Sequence, residues 1–229
     1  MKIDPIDAKG MSQQPKTLPE ILAERRATPS FDDTLVEDRD LLQILRAGLH
    51  APSGYNMQPW RFIVVREKAR KKRLRDACYN QAKVEEAPVV IVACGDQDGW
   101  RTGDLEEMLR QAREGGMPES FATVVQERVP GMMSSLPNRE VWLTRQVMIA
   151  FTHMMLMAES LGYDTAPMEG FEEDKVHDVL RLPLSYHVVA LLAIGHRKGK
   201  DKFDGGRFPM RRTVSAEEFG RPLKLEAED

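Results

Sequence analysis

The chain has little cysteine, no long apolar run and almost no net charge, and each shortage removes a class of protein. Its two cysteines, Cys78 and Cys94, cannot build a disulfide scaffold or a cysteine-built zinc site, so both are expected reduced in or near the core. The longest clean apolar run is the seven residues 188–194. A membrane-spanning helix needs about 20, so no bilayer crossing is expected. The opening Met-Lys-Ile-Asp-Pro holds no apolar leader stretch, which makes the cytoplasm the expected location. A net charge of −3 and a pI of about 6.0 do not suit a nucleic-acid partner. The Gly-x-x-x-x-Gly-Lys-[Ser/Thr] loop, Gly-x-Gly-x-x-Gly, His-Glu-x-x-His and the Gly-x-Ser-x-Gly elbow are all absent. The five histidines (50, 153, 177, 187, 196) are scattered without metal-ligand spacing. No metal site and no catalytic histidine is therefore expected, and His153 reads as a hydrogen-bonded core residue. No internal repeat or low-complexity tract is visible.

What is present is enough for a sizeable core. The chain has 229 residues, 30% charged, the length of one large domain or two small ones. Charge is uneven: residues 61–75 carry a net +7 and 197–212 a net +5, leaving −15 elsewhere. The 61–75 run lacks interleaved aromatics and reads as a solvated helix face.

Residues 1–16 mix Pro, Gly, Gln and Ser without a period and read as a mobile arm. Thr17-Leu18-Pro19-Glu20 has the form of a capping box, so a helix starts there and runs towards Arg26, with Pro29 ending it. Asp38 reads as the cap of a second helix, whose Leu41, Leu42, Leu45 and Leu49 share one face. A strand is expected at 62–65 and a basic helix at 67–78. The continuous apolar runs 89–94 and 187–194 read as strands buried on both faces. Residues 95–139 are rich in Gly, Pro, Arg, Glu and Met; short helices near 104–113 and 119–128 are expected there, as an insertion placed to act as a lid. Its aromatic candidates are Trp100 and Phe121. Residues 140–161 read as a helix that is apolar nearly all round, hence buried, with Gly162 as its stop. Its methionines fill core. A short helix is expected at 172–180, and a polar, Gly-rich tail from Gly195 on. The order of elements gives an α+β or α/β layout around a small sheet, and the central helix has more apolar surface than one small sheet covers, which hints at a homodimer.

Four separated segments carry chemistry. Arg25-Arg26-Ala27-Thr28-Pro29-Ser30-Phe31 places two planar cations before a Pro turn, a form suited to gripping a phosphate. Pro52-Ser53-Gly54-Tyr55-Asn56-Met57-Gln58-Pro59-Trp60 holds short hydrogen-bonding side chains in a bent loop, suited to a polar ring edge. In Ala166-Pro167-Met168-Glu169-Gly170-Phe171, Gly170 lets the backbone approach a flat ligand. Arg211-Arg212 adds cations near the end of the chain.

On these residues the chain resembles the FMN-dependent nitroreductase family. Arg25, Arg26 and Phe31 match its Arg-Arg-Ser-x-Arg-x-Phe type opening, with Ala27 and Pro29 in place of the Ser and the second basic residue. Pro52, Ser53, Asn56, Gln58, Pro59 and Trp60 match its Pro-Ser-x-x-Asn-x-Gln-Pro-Trp motif, the most specific signal in the sequence. Asn80 and Lys83 match an Asn and a Lys three apart, and Pro167, Glu169, Gly170 and Phe171 match its Pro-x-Glu-Gly-Phe loop. The resemblance runs from about residue 17 to 220.

The resemblance implies an α+β fold: three layers, α/β/α, with a small central, mainly antiparallel sheet, a long buried helix and an intertwined homodimer holding FMN at the subunit interface. It implies a single FMN-binding domain over 17–220, with 221–229 as a tail. Arg25, Arg26, Ala27 and Pro29 would lie along the cofactor, with Arg211 and Arg212 on its phosphate. Pro52, Ser53, Gly54 and Asn56 would reach the partner's flavin, and Asn80 and Lys83 would meet the pyrimidine edge. Pro167 and Met168 would contact the cofactor, and the backbone of Glu169 and Gly170 would lie by the reactive N5. The implied activity is reduction of nitroaromatic, quinone or similar flat acceptors by NADH or NADPH, in ping-pong order through flavin N5, with no catalytic side chain. Dehalogenating and flavin-degrading relatives share the fold and remain alternatives, as does a flavin-binding protein without turnover.

Overall fold

A computed structural model of the chain describes residues 15–200 and 205–224. The arm expected at 1–16 and the tail at 221–229 therefore lie largely outside the described residues. In chain order the elements are α1 (Leu18–Glu24), α2 (Asp38–Leu49), β1 (Trp60–Val65), α3 (Lys68–Ala77), α4 (Ala82–Glu86), β2 (Val89–Asp96), α5 (Gly99–Thr102), α6 (Asp104–Glu114), α7 (Glu119–Ser135), α8 (Arg139–Ser160), β3 (Asp164–Met168), α9 (Glu173–Leu180), β4 (Tyr186–Gly195) and α10 (Met210–Thr213).

The strands form one antiparallel sheet in the order β1-β2-β4-β3. Both of its faces are covered, and the two-residue period of β2 shows how. Val89, Ile91 and Ala93 point into a core shared with α2 and α8, including Ile44, Phe151 and Met154. Val90, Val92 and Cys94 point the other way, into a core with Leu74 of α3, Val84 of α4 and Val176 of α9. This is the expected three-layer α/β/α arrangement. A third, smaller cluster joins Leu105, Met108 and Leu109 of α6 to Ala122, Val125, Val129 and Met133 of α7.

Several local readings hold for the reasons given by their residues. Thr17 donates both its backbone N–H (2.8 Å) and its hydroxyl (2.7 Å) to Glu20 Oε2, fixing the start of α1. Gly162 adopts φ +86° after α8, where a side chain would be strained. Both cysteines are free and buried, and burial pushes their thiols up to about 12. His153 is half-buried, with Nδ1 3.3 Å from Ala47 O.

Other readings are corrected. α1 stops at Glu24, short of Arg26, because Arg25 turns extended (ψ 129°) while its N–H still bonds Ile21 O. α7 runs through Pro130 to Ser135 instead of ending near 128. Its buried stripe continues one turn past the proline to Met133, and that packing offsets the missing N–H. Residues 164–168, taken for the start of a loop, form β3. β3 is an edge strand, where Pro167 needs no ladder donor. On the basic helix α3, Lys71 is only 6% exposed and donates to Ala87 O, so this face is not wholly solvated.

Candidate functional site

Three of the singled-out segments meet around the β3 edge of the sheet. Ala27 bridges Thr165 of β3, with Thr28 N donating to Thr165 O at 2.9 Å. Phe31 bridges Arg197, as Asp32 N donates to His196 O and Lys198 N to Ser30 O. Glu86, at the end of α4, accepts from Ser30 Oγ (2.7 Å) and Phe31 N (3.2 Å). The arginine-bearing segment is thus strapped between β3, the start of the polar tail and α4. Pro29 lies half-buried within this path, while Ala27 is exposed.

The loop after β3 reaches the loop carrying Asn80. Gln81 Nε2 donates to Gly170 O at 2.9 Å, and Glu172 N donates to Ala77 O at 2.8 Å. A Cβ at Gly170 would lie 3.3 Å from Gln81 Nε2 and 3.7 Å from the Tyr79 ring, so the two loops approach closely at this glycine. Pro167 is half-buried and Met168 is 4% exposed, so Met168 offers backbone rather than side chain. Glu169 and Asn80 are exposed, and Lys83 is half-buried on α4.

The Pro-Ser loop lies elsewhere. Gly54 N donates to Gln146 Oε1 of α8 (2.8 Å), and Ser53 Oγ accepts from Gln58 N (2.9 Å). Met57 plugs into the α6–α7 cluster. Pro52 and Asn56 are exposed. The contacts of this loop run to Trp142 and Gln146 of α8 and to the α6–α7 cluster. Arg211 and Arg212 also stand apart. They are exposed on α10, and Arg212 stacks 4.1 Å from the centroid of Phe208 in its own segment. The lid aromatics differ from one another: Trp100 is tied down by Nε1–H to Gln97 O (3.1 Å), whereas Phe121 is 51% exposed.

Backbone strain marks two of these loops. Among the described residues seven non-glycine positions have positive φ, and five fall in them: Tyr55, Asn56 and Gln58 in one, Tyr79 and Asn80 in the other. A bulky residue held there costs about 1–3 kcal/mol and persists where the surroundings over-determine it, as at functional sites.

Three buried side-chain nitrogens lack a hydrogen-bond partner among the described residues, Arg25 Nη1, Arg75 Nε and His177 Nδ1, and of these only Arg25 lies on a segment with candidate binding residues. By contrast Arg26 Nη1 donates to Ala23 O (2.8 Å) and Arg25 O (2.9 Å). A buried guanidinium nitrogen without an acceptor is costly, and an anion is the acceptor it fits. Nearby, Glu159 of α8 accepts from Thr165 Oγ1 at 2.6 Å, and burial pushes its carboxyl up to about 7. The sequence offered no signal for Glu159, Thr165, Gln81 or Glu86; each matters through a partner distant in the chain.

A model of the nitroreductase family matches residues 22–196, most of the chain. The chain belongs to the nitroreductase family. A Thermus thermophilus relative named NADH dehydrogenase is 34% identical, over 83% of this chain and 91% of its own. Protein DrgA of Synechocystis is 29% identical, over 82% and 90%. Among solved structures, a nitroreductase-type protein of Exiguobacterium sibiricum in complex with FMN is 26% identical with a TM-score of 0.79, covering 90% of this chain and 99% of that one. A nitroreductase-like protein of Streptococcus mutans, at 23% identity and a TM-score of 0.78 over 88% and 100%, shares the fold. The α+β nitroreductase fold expected from the motifs is the fold observed.

Proposed function

We propose that this nitroreductase-family chain is an FMN-dependent oxidoreductase that takes reducing equivalents from NADH or NADPH and passes them to a flat acceptor, a nitroaromatic or a quinone. The observation that carries this reading is the buried, unpartnered Arg25 Nη1 on a segment strapped between β3 and α4. A bound phosphate supplies the acceptor that this nitrogen lacks. The FMN-bound relative supports the same cofactor.

When bound, the cofactor supplies two-electron redox chemistry; the protein holds it, orients it and limits side reactions. Arg25 would take the phosphate, with Arg26 beside it. The backbone of Ala27 and Pro29 would run along the ribityl chain. Asn80 and Lys83 would serve the polar edge of the ring, and Pro167, Met168, Glu169 and Gly170 would present backbone to it. No side chain is assigned as general acid or base.

The site is completed by a second copy. The Pro52, Ser53, Gly54 and Asn56 loop packs on α8 and the Arg211–Arg212 pair lies exposed on α10, and a homodimer supplies both from the partner. Two features support it. Val141 and Ile149 leave α8 partly uncovered, and Leu18, Leu22 and Leu42 of α1 and α2 are exposed too. The segment 205–224 is exposed at every position except the intermediate Ala216, yet carries Phe208, Met210, Val214, Phe219 and Leu223. Residues 17–220 then act as one domain, with 95–139 as the lid, in the cytoplasm. Deleting 205–229 is expected to convert dimer to monomer in sedimentation; an unchanged dimer removes the arm from the interface.

The deciding experiment is a visible spectrum of the purified protein, then anaerobic NADH. Flavin bands that bleach support the reading. Bands that persist with both nicotinamides point to a carrier, and a colourless protein that takes up no FMN overturns the assignment.

A further inference from the structure

Arg25 and Glu159 are brought together by one strand. The bridge between Ala27 and Thr165 fixes the segment that follows Arg25 against β3. From the same Thr165, Oγ1 reaches Glu159 Oε1 at 2.6 Å. Thr165 is fully buried and Glu159 is 9% exposed. So a buried carboxyl sits in the electrostatic reach of a guanidinium whose Nη1 has no acceptor. Neither residue type at these positions follows from the motif that brought Arg25 to notice.

We infer that Glu159 is a positioning residue for Arg25: ionised, it shares the guanidinium's charge, and protonated, it releases that charge to the anionic phosphate. This inference rests on the FMN reading above. The physical argument is linkage. A phosphate at Arg25 draws on the cation that stabilises the Glu159 carboxylate and adds negative charge beside it. Both effects favour the protonated acid. By reciprocity, protonation of Glu159 strengthens phosphate binding by the same factor.

The other charges facing Glu159 fit this account. Asp164, at the start of β3, disfavours its ionisation, while Lys16, ahead of α1, and Arg25 favour it. Lys16 is already paired with Glu24 at 2.8 Å, which leaves Arg25 as the cation free to change partner. Burial pushes the Glu159 carboxyl up to about 7, so the exchange falls near neutral pH.

The test is the FMN dissociation constant by flavin fluorescence, in wild type and Glu159→Gln, from about pH 5.5 to about pH 8.5, on either side of the Glu159 transition. The phosphate's own titration is common to both proteins and cancels in the ratio. The wild-type to variant ratio is expected near unity at the acid end and about five- to tenfold at the alkaline end. Riboflavin, which lacks the phosphate, is expected to give a flat ratio. Thr165→Val removes the hydroxyl that favours the ionised form, and is expected to move the wild-type transition to higher pH; it stands as the second test if Glu159→Gln does not fold. A flat FMN ratio, or an unmoved transition in Thr165→Val, overturns the inference and leaves the cofactor assignment standing. If wild type itself takes up no FMN, the cofactor assignment fails and the inference with it.

Discussion

Arg25→Ala separates a binding role from a structural one. In the structure Arg25 Nη1 is buried without a hydrogen-bond partner, so that nitrogen contributes no hydrogen bond in the empty protein. Removing it relieves an unsatisfied donor, and the apo melting temperature is expected to hold or rise. With FMN the sign reverses. A hydrogen bond to a charged group contributes about 1.5–3 kcal/mol, so FMN should bind roughly 10- to 150-fold more weakly. At a ligand concentration about 100 times the wild-type dissociation constant, FMN stabilises wild type by about 2.7 kcal/mol. After a loss of roughly 30-fold the same concentration gives only about 0.9 kcal/mol. At about 2–4 °C per kcal/mol for a chain of this size, the FMN-induced shift falls from about 5–11 °C to about 2–3 °C. Thermal scans with and without FMN, with direct titration, measure both terms. An apo protein that melts well below wild type, or an FMN affinity within twofold of it, would refute the reasoning. Arg26→Ala is the internal comparison: its guanidinium already bonds Ala23 O and Arg25 O, so its loss should also lower apo stability.

Three further outcomes are expected. Burial raises the Glu159 carboxyl from 4.5 to about 7. The folded state then holds a proton that the unfolded chain loses first, so stability falls as pH rises from about 4.5 to 7 and levels off above. Glu159→Gln should remove this decline, worth on the order of 3 kcal/mol, in chemical denaturation at both ends of the window; a parallel decline in the variant assigns it to other groups. Gly195→Ala would put a Cβ 2.5 Å from Pro88 Cδ and 3.1 Å from Phe31 Cδ1. Those rings cannot yield, so a loss of about 1–3 kcal/mol is expected, and an unchanged melting temperature would contradict the packing. Cys78 and Cys94, buried and held up to about 12, should resist thiol reagents at about pH 8 until the protein unfolds; rapid labelling of the native protein would contradict their burial.

Much of the fold could be read from local chemistry. The buried strands β2 and β4 announced themselves as continuous apolar runs, and α8 as a helix with apolar residues nearly all round. Their partners in space were not legible: nothing in the chain says that β2 and β4 are neighbours. β3 was missed because Pro167 speaks against a strand, and only its edge position makes the proline harmless. Pro130 spoke equally against a long α7, and only Met133 packing beyond it carries the helix on.

The candidate site divides in the same way. Arg25 and Arg26, the Pro-Ser loop, Asn80 and Lys83, and Glu169 with Gly170 could be picked out because their residue types and spacing match the motifs of the nitroreductase family. The sequence alone therefore determined the family and the segments. It could not rank the two arginines, which are adjacent and chemically identical. Tertiary structure separates them, turning Arg26 onto backbone carbonyls and leaving Arg25 Nη1 buried and unpartnered. Nor could it bring Glu159 within the electrostatic reach of Arg25, which the Ala27–Thr165 bridge arranges across more than a hundred residues. Local spacing encodes residue chemistry, whereas burial and long-range pairing set the charge and freedom of each group, and those exist only once the layers have closed.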